Sequence, residues 1–181
     1  MNHESVQRVA NDPRMLMLAG EFIGRSAMPF KATLFDKSPD SNWLVAWHQD
    51  IALPICERVE ADGWGPWSTK AGQLYAHAPA PVLERVVALR LHFDDSTHEN
   101  GPLRVLPGTH IHGRLSEDRI RELARELEPI ECTVGAGGVV AMRPLILHAS
   151  SKSQSASSRR VLHIEYATGV ELGSNIQLAV A

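Results

Sequence analysis

Cysteine is scarce in this chain: there are two, Cys56 and Cys132, in 181 residues. They form no paired motif, so neither a disulfide framework nor a zinc ribbon organises the fold, and both thiols are expected to be reduced and structural, with a single bridge left open. Long apolar runs are also lacking. No stretch approaches the roughly 20 residues needed to cross a bilayer, and the N-terminus offers Glu4 and a brief Met15–Ala19 patch, which is not the pattern of a signal peptide. A cytoplasmic protein with no membrane partner is the expectation. Basic excess is missing too: 18 Lys and Arg against 21 Asp and Glu give a net charge of −3, too little positive charge to neutralise a track of phosphates, so no nucleic-acid partner is expected. What is abundant is histidine, with nine residues. A bound metal is therefore expected to take nitrogen and oxygen ligands rather than sulfur. A hydrophobic fraction of 44% and a charged fraction of 22% suit one compact domain over residues 1–181.

The first stretch, up to residue 27, reads as a helical lead-in. Its apolar positions are broken by Asn11, Asp12 and Pro13, and Pro13 is expected to start or interrupt a helix rather than sit inside one. From Met28 the period shortens to two, as Phe30, Ala32 and Leu34 alternate with Lys31, Thr33 and Phe35. Strand signals recur at 43–50, 86–94, 103–106, 130–134, 138–142 and 159–167, separated by turn formers such as Asn100-Gly101-Pro102, Pro107-Gly108 and the glycine-rich 135–138. This is the layout of an antiparallel sandwich or barrel over residues 28–181. One helix interrupts it: Ser116 caps, Glu117 and Asp118 favour the positive N-terminal end, and Ile120, Leu123, Ala124 and Leu127 make an apolar stripe. The polar run Ser150–Ser158 reads as a flexible loop, and the glycine-rich 135–140 as a hairpin rather than a phosphate loop, because a strand follows where a helix N-terminus is required.

The sharpest chemical feature is Trp47-His48-Gln49-Asp50. In a strand, positions two apart project to one face, so His48 and Asp50 point together. An imidazole beside a carboxylate supplies two arms of a metal site, although a lone H-x-D is more often a surface pair. His148, where the apolar run 144–147 ends, is the best third ligand. Two histidines and one carboxylate with open positions suit a non-haem Fe(II) oxygenase, with zinc and a bound water as the competing reading. Arg159 and Arg160 open the last strand and face opposite sides, so at most one enters a pocket. A buried arginine near a metal suggests an anionic co-substrate, because its planar fork matches a carboxylate.

Taken together, the WHQD tetrad at 47–50, FDDSTHENGPLRVLPGTH at 93–110, GGVVAMRPLILHASS at 137–151 and RRVLHIEYA at 159–167 resemble the phytanoyl-CoA dioxygenase-like family of Fe(II)/2-oxoglutarate-dependent oxygenases. With KATLFDKSPDSNW at 31–43 and GWGPW at 63–67, the resemblance covers most of the chain from residue 31 onward. It implies a mainly β fold, a double-stranded β-helix (jelly roll, cupin-like) with flanking α-helices. It implies iron bound by His48, Asp50 and His148, and 2-oxoglutarate held by Arg159, with Ser150 and Trp67 lining the co-substrate pocket. Arg160 is the less favoured arginine, and Lys37 and Gln49 read as solvated or supporting groups. From the sequence pattern, Trp64, Trp67, His77, His92, Arg104 and His163 are candidates to line a substrate pocket, with core packing or surface exposure as equal alternatives for each.

The implied reaction consumes dioxygen and 2-oxoglutarate, releases succinate and CO2, and hydroxylates a small organic molecule. Asp50 favours hydroxylation over halogenation, since related halogenases lack that carboxylate. The alternatives are a non-catalytic jelly-roll module that keeps a metal for structure or ligand capture and, further off, a zinc hydrolase. Substrate choice is expected to rest on loops around residues 63–80 and 150–158, and neither the substrate nor the oligomeric state is specified by these features.

Overall fold

A computed structural model of the chain describes residues 3–24 and 26–180. The two short helices at its start begin where backbone chemistry allows. In α1 (Glu4–Ala10) the His3 ring accepts from Ser5 N. In α2 (Pro13–Ile23), Pro13 occupies the first turn, where its missing N–H costs nothing, Asp12 accepts from Arg14 N, and left-handed Gly24 closes the end. Among the described residues no helix is long and apolar enough to cross a membrane.

Strands dominate the rest: β1 (Met28–Lys37), β2 (Val45–His48), β3 (Ala52–Ile55), β4 (Trp67–Lys70), β5 (Gln73–His77), β6 (Val86–His92), β7 (Leu103–Leu106), β8 (Ile130–Cys132), β9 (Val139–Met142), β10 (Leu147–Ser150) and β11 (Arg159–Ala167). The sheets run β1-β11-β6-β9, β2-β10-β7-β8 and β3-β5-β4. With the β3-β5-β4 insertion set aside, successive strands of the remaining eight switch repeatedly between the two four-stranded sheets, and the last strand returns beside the first. That connectivity is the double-stranded β-helix expected from the sequence.

The residues cluster into two compact units. Unit 1 holds the described residues up to Ala32, Ile51–Leu89, and those from Ile164 onward. Its buried side chains include Phe30, Leu53, Ile55, Leu83, Ile164 and Tyr166. Tyr166 donates its hydroxyl to Ala10 O at 3.0 Å, which ties α1 to β11. Lys31 and Glu165 form an ion pair at 2.6 Å. The C-terminal segment lies along β3, with Cys56 N donating to Gln177 O and Ala179 N to Pro54 O, each at 3.0 Å.

Residues 63–80, expected from the sequence to be loop, carry two strands in the structure. β4 and β5 form a hairpin there, with Lys70 opposite Gln73 and β5 paired in turn to β3. Ala71 at φ 48° and Gly72 at φ 81° make the two-residue turn, and positive φ at both central positions matches the right-handed twist of the flanking strands. The missing cue was the unusual Ala-Gly turn, where Asn-Gly or Asp-Gly is the readable pattern.

Unit 2 holds Thr33–Asp50 and Arg90–His163. Here α4 (Glu117–Glu126), which follows the single turn α3 (Ala80–Leu83) of unit 1 in the chain, starts at Ser116, whose hydroxyl accepts from Arg119 N. Leu123 packs with Leu106 and Leu147, flanked by Trp47, Leu115, Ile120 and Ala124. Burying one such leucine contributes roughly 2 kcal/mol. Leu127 caps the helix and is largely exposed, so the apolar stripe ends one position earlier than the spacing suggested. The loop after β10 is irregular but not loose: Asn42 takes both backbone polar groups of Ser153, and Gln154 N donates to Glu99 O. Both cysteines are free thiols.

Arg160 is exposed and clasps Asp94 through Nε at 2.9 Å and Nη2 at 2.8 Å. That guanidinium holds the Asp94 carboxyl down at about 2. A depressed carboxyl stabilises the folded state above its unfolded pKa of roughly 4 and loses that contribution as pH falls towards its folded value. Asp94→Asn is therefore expected to lower stability by about 0.5–1 kcal/mol at pH 7. Thermal melts of the two proteins across pH should show the gap closing between about pH 4 and pH 2.

Candidate metal centre

His48 and His148 are brought together by strand pairing. β10 lies antiparallel to β2 with His148 directly opposite His48, and the two rings stand 4.2 Å apart between centroids. Each ring is oriented in the same way: Nδ1 of His48 meets Ala46 O at 2.8 Å, and Nδ1 of His148 meets Ile146 O at 2.9 Å. A carbonyl oxygen only accepts, so Nδ1 carries a proton in both rings, which leaves Nε2, the nitrogen facing Asp50, as the atom a metal would take.

Asp50 completes the cluster from outside the strand. β2 ends at His48, so the strand alternation expected to put His48 and Asp50 on one face does not extend to Asp50. Asp50 is held instead by its own N–H, which donates to Pro144 O at 2.9 Å. Its Oδ1 lies 3.6 Å from His48 Nε2 and its Oδ2 lies 3.4 Å from His148 Nε2. Burial works against the Asp50 anion, but hydrogen bonding to His148 and His48 outweighs it and keeps the carboxyl well below its ordinary value. For His48, burial disfavours the charged ring, and Asp50 with the Ala46 carbonyl reverses the direction upward.

One ligand atom from each of His48, Asp50 and His148 lies within 4.8 Å of the others. Two Nε2 atoms and one carboxylate gathered this closely fit a divalent first-row metal, with three ligands leaving further positions open. Gln49, between the ligands, takes the supporting rather than the solvated one of its two expected roles. Its side chain donates to Gly113 O and Leu145 O and accepts from Leu115 N, so it ties the loops on either side of the tetrad.

Arg159 is buried in unit 2 at 3% exposure, with Nε donating to Asn100 O at 3.1 Å and Nη1 without a hydrogen-bond partner. Burial lowers its pKa. Ser150 is buried as well, and its hydroxyl donates to Gly101 O at 2.9 Å while accepting from Lys37 Nζ at 2.7 Å. Lys37 is the residue that the sequence understated. It is only 1% exposed, donates also to Ser151 O, and is pulled down to about 8 by burial and by the fields of Arg159 and Arg90. The available signal was its place in β1, on the same parity as Phe35 and opposite to Asp36. Arg90 was understated too, although a lone arginine in the apolar run 86–91 is a visible anomaly.

Trp67 belongs to unit 1, where it opens β4 and lies under the Arg58 guanidinium at 5.8 Å. The remaining pocket candidates divide likewise. His92 and His163 are buried in unit 2, whereas Trp64 and His77 belong to unit 1. Arg104, also in unit 2, stacks on Trp47 at 5.4 Å.

A double-stranded β-helix carrying a two-histidine, one-carboxylate cluster defines a class of mononuclear, non-haem metal proteins, and comparison with known proteins narrows it. The profile of the phytanoyl-CoA dioxygenase (PhyH) family matches residues 1–161, so the chain belongs to that family of Fe(II)/2-oxoglutarate-dependent oxygenases. A curated relative, L-proline trans-4-hydroxylase of Streptomyces griseoviridis, is 28% identical over 190 residues, covering 90% of this chain. The chain spans 63% of that relative's length. Solved structures share the fold. AviO1 from Streptomyces viridochromogenes Tue57 has a TM-score of 0.66 at 23% identity, covering 92% of this chain and 62% of its own. EctD from S. alaskensis, solved with 2-oxoglutarate and 5-hydroxyectoine, has a TM-score of 0.67 at 19% identity, covering 92% and 53%.

The bracket around Lys37, Ser150 and Arg159 rests on Gly101, whose φ is 66°. A Cβ there would collide with the Ser151 carbonyl oxygen and stand 3.3 Å from Lys37 Nζ. Gly101→Ala combines a left-handed backbone penalty with that collision, so a loss of about 2–3 kcal/mol is expected. Denaturant unfolding of the two proteins measures it.

Proposed function

We propose that this chain is an Fe(II)- and 2-oxoglutarate-dependent dioxygenase that hydroxylates a small organic molecule, with His48, Asp50 and His148 as the iron ligands and residues 1–181 acting as one catalytic domain. The observation that carries this reading is the pair of Nδ1–carbonyl hydrogen bonds that turn both Nε2 atoms towards Asp50. A backbone that orients two imidazoles in the same sense supplies the outer contacts a metal ligand needs.

Bound there, iron and its co-substrate would supply dioxygen activation coupled to oxidation of 2-oxoglutarate to succinate and CO2. The chain's own residues place and orient. His48 and His148 offer neutral nitrogens, and Asp50, held as the anion by its two histidine neighbours, lowers the charge of the bound cation. Arg159 offers its unpaired Nη1 to the distal carboxylate of 2-oxoglutarate, while the Asn100 carbonyl fixes Nε and with it the plane of the fork. Ser150 supports that carboxylate pocket indirectly, by holding Lys37 in place. Trp67 is assigned to the co-substrate pocket on the family resemblance alone. The name of the curated relative, a hydroxylase of a free amino acid, favours a small organic substrate.

Anaerobic addition of Fe(II) and 2-oxoglutarate is expected to give a visible charge-transfer band. His148→Ala and Asp50→Ala should abolish it, and retention of the band in either variant sinks the ligand assignment. Arg159→Ala should raise the 2-oxoglutarate concentration needed for the band by about 30-fold or more with iron still bound, since it leaves a buried carboxylate unpaired. Arg160→Ala, which removes only the surface clasp on Asp94, should leave that concentration unchanged. Tight metal and ligand binding with no oxygen consumed would favour the non-catalytic module instead.

A further inference from the structure

Arg90 is buried at 8% exposure in unit 2, and no carboxylate forms an ion pair with it among the described residues. Its orientation is nonetheless fixed from two sides. Nη1 lies 3.0 Å from His163 Nδ1, and the guanidinium carbon sits over the Phe35 ring at 5.4 Å. Phe35 in turn meets the His163 ring edge-on at 5.9 Å. The neighbouring strands β1 and β11 thus supply one side chain each to hold still a charged fork carried by β6, while its Nε is buried without a hydrogen-bond partner. A guanidinium taken out of water and left unpaired is costly, and a fold that builds such a group and braces it has a use for the charge.

The charge balance of the site says what that use is. A divalent metal, the Asp50 carboxylate and a doubly ionised oxo acid together leave one negative charge, which Arg159 cancels. Lys37 and Arg90 remain. Lys37 directs donors to Ser150 Oγ and Ser151 O. Arg90 has no acid paired with it among the described residues, and the field of Asp50 is one of those that partly offset its burial. His163 lies four residues after Arg159 on β11 and so projects to the same face of that strand, which sets the braced fork on the side that carries the co-substrate arginine. His92, 1% exposed and on the same strand parity as Arg90, has both ring nitrogens buried without partners. This face of β6 and β11 is therefore polar and holds a buried guanidinium, and it suits an anion.

We propose that Arg90, braced by His163 and Phe35, docks a carboxylate of the substrate, so that the substrate class of this site is a small carboxylic acid. The inference rests on the metal-centre reading above and deepens it. A planar carboxylate takes two parallel hydrogen bonds from the guanidinium fork, and the neutral amide of the same acid offers one acceptor and no charge. Discrimination between an acid and its amide is thus the signature of the role.

The test uses the full chain with Fe(II) and 2-oxoglutarate under anaerobic conditions. The probes are free α-amino acids and simple aliphatic and aromatic monocarboxylic acids, each set against its own primary amide. Binding is read as perturbation of the visible band and as a shift in melting temperature. At least one acid should bind and its amide should not. Arg90→Gln should weaken that acid by about 30-fold or more while the 2-oxoglutarate titration moves less than about threefold, and Arg90→Lys should recover part of the loss. Equal binding of acid and amide, or no acid bound although the band forms, overturns the proposal. Weakened 2-oxoglutarate binding in Arg90→Gln, with the acid unaffected, overturns it as well by assigning Arg90 to the co-substrate. A wild-type chain that never forms the band fails the metal-centre reading instead, which separates the two.

Discussion

The register between β2 and β10 is the constraint on which the site depends. Because His148 stands opposite His48, the two rings are neighbours before any loop is considered, and the carbonyl two residues upstream sets the orientation of each. A slip of one residue would send one histidine to the other face of the sheet. The register is anchored by burial on the same strand: Leu147 packs with Leu106 and Leu123 beneath α4, and its N–H is taken by the Thr109 hydroxyl, which itself donates to Leu106 O. Apolar packing behind the sheet therefore holds the metal-ligand geometry in front of it.

Around that register the chain builds a cationic surround from parts far apart in sequence. The turn at Asn100-Gly101 is the junction: one carbonyl accepts from Arg159, the next from Ser150, and the missing side chain of Gly101 leaves room for the Ser151 carbonyl and the Lys37 ammonium. The Asn100 side chain closes the turn on itself through Thr97 N and Asp95 O. Lys37, Arg90 and Arg159 are each pushed down by burial, Lys37 to about 8 and Arg90 to about 10, and none has an acid ion-paired to it among the described residues. Electrostatic strain of this kind is relieved by anionic ligands, and it puts affinity for them ahead of the stability of the empty fold.

Unit 1 shows a different economy. Its core is apolar, Lys31 on β1 pairs with Glu165 on β11, and its insertion is a regular three-stranded sheet. Insertions between strands of a conserved scaffold are where related folds diverge. In this chain the β3-β5-β4 insertion and the C-terminal segment along β3 are the parts that the alternation of the jelly-roll strands does not dictate.

Much was legible in the sequence, because the relevant signals are local. Alternation placed β7 and β11 to the residue, Pro13 and Ser116 marked helix starts through capping chemistry, and the H-x-D spacing with a distal histidine named the three residues that cluster. Parity along β11 separated Arg159 from Arg160, and the structure buries the first and exposes the second. What tertiary structure alone decided is which charged groups are taken out of water. Lys37 and Gln49 look like surface residues in a linear pattern, and Arg90 like an interruption in an apolar strand. Their burial depends on what lies opposite them in space, on Ser150, Gly113 and His163, at separations of more than sixty residues. Local periodicity reports the face on which a side chain lies. Only the packed fold determines whether that face meets water, a carbonyl or another charge.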